Sequence, residues 1–201
     1  MSAPQGASRA SIEKLLADRA GWVQKQQQRI AEREQAYPAT PPVVDGSQHI
    51  FEGRDLTLFI SEAPGRPKMV VKGQALFLQV PPGLGEQGRQ RALEHGYREA
   101  LQARLPSLIA AWEPVMGVEV AEWRVRRMKR LWGSCNTVAR RIWLNLELIR
   151  RPPACLEFVL VHEMTHLLER GHNQRFYRLM DQFMPDWRER RHGLHARIIE
   201  P

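Results

Sequence analysis

LEFVLVHEMTHLLERGHNQRF, residues 156–176, sets the architecture of this chain. Leu156, Phe158, Val159, Leu160, Val161, Met164, Leu167 and Leu168 leave hardly any side of it polar. A helix that is apolar all round is a buried one. Pro152-Pro153 is expected to open that helix, which runs to about Arg170. Gly171 then ends it, since glycine can take the left-handed conformation that turns the chain back. Asn173 can cap a further helix to Phe183, and Pro185 stops it.

Inside the buried helix lies His162-Glu163-Met164-Thr165-His166, of the form H-E-x-x-H. Residues four apart share one helical face, so His162 and His166 can offer their rings to one ion. Two buried imidazoles and a buried carboxylate need partners, and a divalent cation satisfies all three. His172, just past Gly171, can return to the pair and complete three neutral nitrogen ligands. Three protein ligands with an open fourth position is the arrangement of a catalytic zinc site, whereas structural zinc is usually closed by four. The competing reading is a pair of core histidines bonded to backbone carbonyls, with Glu163 in an ion pair. It leaves the third histidine and the glycine as coincidences. His49, His95, His192 and His195 read as ordinary histidines, and Cys135 and Cys155 as small buried residues.

Outward from this segment the pattern changes. Leu56, Leu58 and Ile60 alternate with Thr57 and Phe59, and Leu76, Leu78 and Val80 repeat the period of two, with turns at Pro64-Gly65 and Gly73. Helical spacing returns from Gly85 to about Gly117, where Pro106 is expected to kink or split the helix. Two more strands follow, around Trp123–Met128 and Ile142–Leu146. Ahead of all this, Ser11 to about Glu34 reads as a helical arm, and Tyr37–Gly46, with three prolines, as a linker. The expected organisation is an arm and Pro-rich linker over residues 1–46 and one domain over 47–201. Strands first and long helices last make that domain α+β.

The chain has 201 residues, 30 Lys+Arg against 22 Asp+Glu, and six Trp. That is enough for a buried core and far from the composition of a disordered chain. No stretch approaches the ~18 apolar residues of a membrane span. Residues 1–30 have no apolar signal-peptide core, and two cysteines make no disulfide framework. The expected setting is the cytoplasm, without membrane association. A net charge of +8 permits an acidic or nucleic-acid partner.

Trp132-Gly133-Ser134-Cys135, Ile142-Trp143-Leu144-Asn145, HEMTHLLERGHNQRF and MPDW together resemble the YgjP-type metallopeptidases, relatives of the SprT-like zinc proteases. The resemblance runs from about Phe51 to Leu194. It implies a zincin-like minimal metalloprotease domain, a small sheet packed on the HExxH helix. It also implies zinc held by His162, His166 and His172, Glu163 as the catalytic residue, and the strand of Trp132, Gly133, Ser134 and Cys135 beside the substrate cleft. Independently, a glycine inside a strand marks either close approach of another backbone or a bulge. Compared with metzincins, Glu169 stands where their helix-ending glycine would be, so this helix is expected to run about half a turn further.

These roles describe a peptidase in which zinc activates water and polarises the carbonyl, while Glu163 takes the water proton and delivers it to the leaving amine. Tyr177, His192 and His195 are candidates for the oxyanion donor, and Asn145 reads as a structural hydrogen-bonder. Two rivals remain open: a metal-dependent hydrolase of a non-peptide amide or ester, and a nucleic-acid-binding module with a structural zinc. For the second, Arg124, Arg126, Arg127, Lys129 and Arg130 offer a phosphate-tracking patch, against a plain solvated face. Strand alternation is expected to put Arg124, Arg126 and Arg130 on one face of it.

Overall fold

A computed structural model of the chain describes residues 41–195. The helical arm expected over residues 11–34 lies outside the described residues. Seven strands and four α-helices follow in the order β1 (Gln48–Phe51), β2 (Arg54–Glu62), β3 (Lys68–Lys72), β4 (Ala75–Val80), α1 (Glu86–Met116), β5 (Glu122–Arg126), β6 (Gly133–Asn136), β7 (Arg141–Asn145), a 3-10 turn (Leu146–Arg150), α2 (Pro153–Thr165), α3 (Gln174–Phe183) and α4 (Trp187–His195). The α+β reading holds, but the single small sheet becomes two: four strands in the order β1-β2-β4-β3 and three in the order β5-β7-β6.

The larger sheet starts from a hairpin whose two-residue turn, Glu52 and Gly53, has positive φ at both positions, the geometry that matches strand twist. β4 then inserts between β2, to which it is parallel, and β3, to which it is antiparallel. The alternation read from the sequence sorts the faces: Leu56, Leu58, Leu76, Leu78 and Val80 are buried, while Phe59 and Phe77 point outward. Helix α1 covers the buried face, and its Tyr97 hydroxyl donates to the Ile50 carbonyl at 3.2 Å.

Helix α1 runs unbroken through Pro106. That proline lies on the exposed face, where water can meet the carbonyl it leaves unbonded, while Leu101, Leu105 and Ile109 stay buried on the other side. Gly117 closes the helix in the left-handed conformation at φ 65°.

Helix α2 packs on β6 and β7, against α1, and against α3 and α4. It starts at Pro153 as expected but ends at Thr165, short of Arg170. The reason lies in the ladder: Leu167 and Leu168 N–H bond to the carbonyls of Met164 and Thr165, three residues back, tightening the last turn into 3-10 form. Gly171 is not left-handed either, so the extra half-turn and the glycine stop are both replaced by this earlier tightening. Asn173 does cap α3, its Oδ1 accepting the Phe176 N–H at 3.1 Å. Helix α4 adds an element that apolar spacing did not predict.

The basic stretch also differs from expectation. β5 ends at Arg126, so strand alternation cannot align Arg130 with Arg124 and Arg126. Arg124 pairs with Glu122 at 2.6 Å, Arg126 stacks over the Trp143 ring at 3.7 Å, and Arg127 bridges Glu94 and Glu147. Three of the five cations are thus turned to neighbours within the protein.

Candidate metal centre

His162 and His166 come from the last turn and the cap of α2, and His172 from the loop before α3. Their ligand atoms all lie within 4.8 Å of one another. His162 Nε2 faces His172 Nε2 at 3.0 Å. His166 Nδ1 lies 3.1 Å from the Glu169 carbonyl. A carbonyl only accepts, so Nδ1 carries the hydrogen and the other ring nitrogen is left with its lone pair for a ligand. The early tightening of α2 turns that carbonyl back onto the ring.

The rings rest on Phe176, which is fully buried and stands 5.0 Å from His162, 4.8 Å from His166 and 4.7 Å from His172, centroid to centroid. Trp187 stacks on Phe158 at 6.2 Å, and the Phe158 ring meets His162 edge-on at 5.9 Å. From the sequence, Phe158 is legible only as an apolar helix position, and Phe176 and Trp187 only within longer motifs, with no role at the histidines. The signal for Phe176 was present, since it follows the capping Asn173 by three positions and so opens the inner face of α3.

Burial, then the neighbouring His166 and His172 and the Arg191 charge, pull His162 down to about 3, and His172 is lowered mainly by burial. Both rings are therefore neutral near pH 7, as a metal ligand requires. Among the described residues this is the only group of three or more His, Cys, Asp or Glu side chains placed to hold a metal. Three imidazole nitrogens suit zinc, copper, iron or nickel better than magnesium or calcium, which prefer oxygen. The donor set fits a transition-metal ion.

Glu163 is 6 % exposed, and burial raises its carboxyl to about 8. β6 lies across it. A Cβ added to Gly133 would stand 2.7 Å from Glu163 Oε1, 2.8 Å from its Cγ and 2.9 Å from Val159 Cγ1. The close approach that this glycine signals is thus made by side chains of α2. Burial and the Glu163 charge push the Cys135 thiol up to about 11. The Arg151 guanidinium lies 5.5 Å from the Trp132 ring centroid. Asn145 is the structural hydrogen-bonder expected: buried, it donates to the carbonyls of Met128 and Leu131 at 2.9 and 2.8 Å and accepts from the Met128 and Glu147 N–H groups. It thereby shapes the loop that leads into Trp132.

Of the three oxyanion candidates, Tyr177 has its ring 6.5 Å from His172. His192 lies on the exposed side of α4, and the side chain of His195 lies outside the described residues.

The YgjP-like metallopeptidase domain matches this sequence over residues 1–197. The crystal structure of the metallopeptidase zymogen abylysin of Pyrococcus abyssi is similar at 18 % identity and a TM-score of 0.41, over 44 % of this chain and 90 % of that one. No curated protein matches.

Proposed function

The chain belongs to the YgjP-like metallopeptidase family, and from that membership we propose that it is a zincin-like, zinc-dependent peptidase with Glu163 as general base. The observation that carries the reading is the convergence of the His162, His166 and His172 ligand atoms within 4.8 Å. Those three residues would hold zinc. When bound, zinc supplies a Lewis acid that polarises the scissile carbonyl and acidifies water. Glu163 follows His162 directly on α2. Burial alone raises its carboxyl to about 8, and a bound cation nearby would favour the ionised form. That carboxylate takes a proton from the attacking water and returns it to the leaving amine nitrogen.

The substrate would be an extended peptide. In the order β5-β7-β6, β6 is an edge strand with only β7 beside it among the described residues. An extended chain can add to such an edge through backbone hydrogen bonds, which is the role proposed for Trp132, Gly133, Ser134 and Cys135. A structural zinc would have no use for a buried carboxylate next to its ligands, which argues against the nucleic-acid module. Free thiols at Cys135 and Cys155 suit a reducing cytoplasm. No described helix is long and apolar enough to cross a membrane.

Metal analysis together with cleavage of a peptide library tests the reading. One zinc per chain is expected, with loss of full occupancy in His172→Ala. Glu163→Gln keeps the side-chain size and removes the base, so zinc stays while hydrolysis falls by at least ~100-fold. Parental hydrolysis in Glu163→Gln would defeat the mechanism.

A further inference from the structure

Position 133 lies in a short edge strand, where a small side chain is ordinarily tolerated. Here three atoms of α2 occupy the place a Cβ would take: Glu163 Oε1 at 2.7 Å, Glu163 Cγ at 2.8 Å and Val159 Cγ1 at 2.9 Å. Each distance is shorter than a real methyl contact allows, so any residue but glycine must displace something.

What can yield is decided by the surroundings. β6 cannot retreat: Gly133 is paired with the fully buried Leu144, and the Asn145 N–H bonds to the Trp132 carbonyl at 2.8 Å. Val159 is buried on the face of α2 that packs in the core, and its branched side chain has few rotamers to choose from. Glu163 alone ends in a group that can swing. A methyl at position 133 therefore displaces the Glu163 side chain from Cγ outward, and it also presses on Val159 Cγ1, a contact that moving the carboxylate does not relieve.

We propose that Gly133 is a positioning residue for Glu163, its missing side chain being the space in which the carboxylate is held. The functional consequence rests on the proposed role of Glu163 as general base. Gly133 thereby links the strand offered to substrate with the proton-transferring group on the helix.

The test is Gly133→Ala in the full-length, zinc-loaded chain. Because Val159 must also give, the unfolding midpoint is expected to fall in Gly133→Ala and to recover in Gly133→Ala/Val159→Ala, with zinc content unchanged in both. A crystal structure of the variant is expected to show the Glu163 carboxylate displaced. On a cleaved peptide, kcat is expected to fall by at least ~100-fold, the range of a general base, with KM little altered. Val159→Ala widens the same space from the other side, so Gly133→Ala/Val159→Ala is expected to recover activity relative to Gly133→Ala alone.

Three results overturn the proposal: a Glu163 carboxylate unmoved beside the added methyl group, a parental kcat in Gly133→Ala, or loss of zinc together with activity. Glu163→Gln serves as the control for the premise. If it cleaves at the parental rate, the base assignment fails, while the position of Glu163 in the Gly133→Ala crystal structure still decides the positioning role.

Discussion

The larger sheet and the edge strand β6 of the smaller one are held in place in different ways. In the four-stranded sheet, β2 and β4 bury Leu56, Leu58, Leu76, Leu78 and Val80 in one continuous face against α1. In the three-stranded sheet, none of Gly133–Asn136 in β6 is fully buried, and the strand is held instead by Asn145 and by its pairing with β7. The first sheet stores stability in apolar area. The second also buries Val125, Ile142 and Leu144, but its edge strand β6 buries none of its own residues and lies against Glu163. The difference is between strands locked by apolar burial and an edge strand held by hydrogen bonds, on which the proposed substrate role rests.

That division can be broken first at Leu78. Leu78→Ala removes a fully buried side chain of the larger sheet and is expected to cost about 2–5 kcal/mol of stability. The folded fraction should still bind metal with unchanged stoichiometry, as shown by denaturant unfolding alongside metal analysis. Loss of the metal site in molecules that remain folded would mean that the two sheets are not separate in role.

Acid should act on the same sheet. His49 in β1 is 1 % exposed, and burial, helped by the Arg150 charge, lowers it to about 4 from the ordinary 6.5. Between those values the unfolded chain binds more protons than the folded one, so stability falls as pH drops from 6.5 towards 4 and is unaffected by His49 above 6.5. The full loss is up to about 3 kcal/mol. Comparing melting temperatures of the parent and His49→Gln across this window checks it. The variant should show the shallower decline, and parallel curves would remove His49 from the account.

Asn145 is the corresponding test of the smaller sheet. Asn145→Ala leaves the Met128 and Leu131 carbonyls and the Glu147 N–H without their side-chain partner. The expected stability cost is about 1–3 kcal/mol. Unlike Leu78→Ala, it should also lower peptide turnover by the folded protein, because the loop into Trp132 loses its shape. Unchanged turnover in folded Asn145→Ala would show that the loop geometry does not matter to the site.

The smallest effect is expected at the outward face of the larger sheet. Phe59 and Phe77 are cross-strand partners 43 % and 42 % exposed, with ring centroids 5.5 Å apart. Phe59→Ala should cost no more than about 1 kcal/mol, the scale of a single cross-strand pair. A larger loss in thermal unfolding would mean that this face carries packing comparable to the buried one.

The sequence alone determined what is local. The buried helix follows from an unbroken apolar circumference, His162 and His166 share a face because they are four apart, and the Asn173 cap depends on a side chain and an N–H three residues away. The alternation over Leu56–Ile60 and Leu76–Val80 likewise reports one buried face, because the period of two is a property of a single strand. Tertiary structure decided the rest. Pro106 did not split α1, because burial of Leu101, Leu105 and Ile109 outweighed the lost hydrogen bond. α2 stopped at Thr165, because the following residues tightened into three-residue bonds that aim the Glu169 carbonyl at His166. Arg124, Arg126 and Arg127 read as a free basic patch until Glu122, Trp143, Glu94 and Glu147 were placed beside them by the fold. Gly133 and Glu163 meet only because β6 lies across α2. Both residues stand in motifs legible in the sequence, but that they touch depends on where two elements cross.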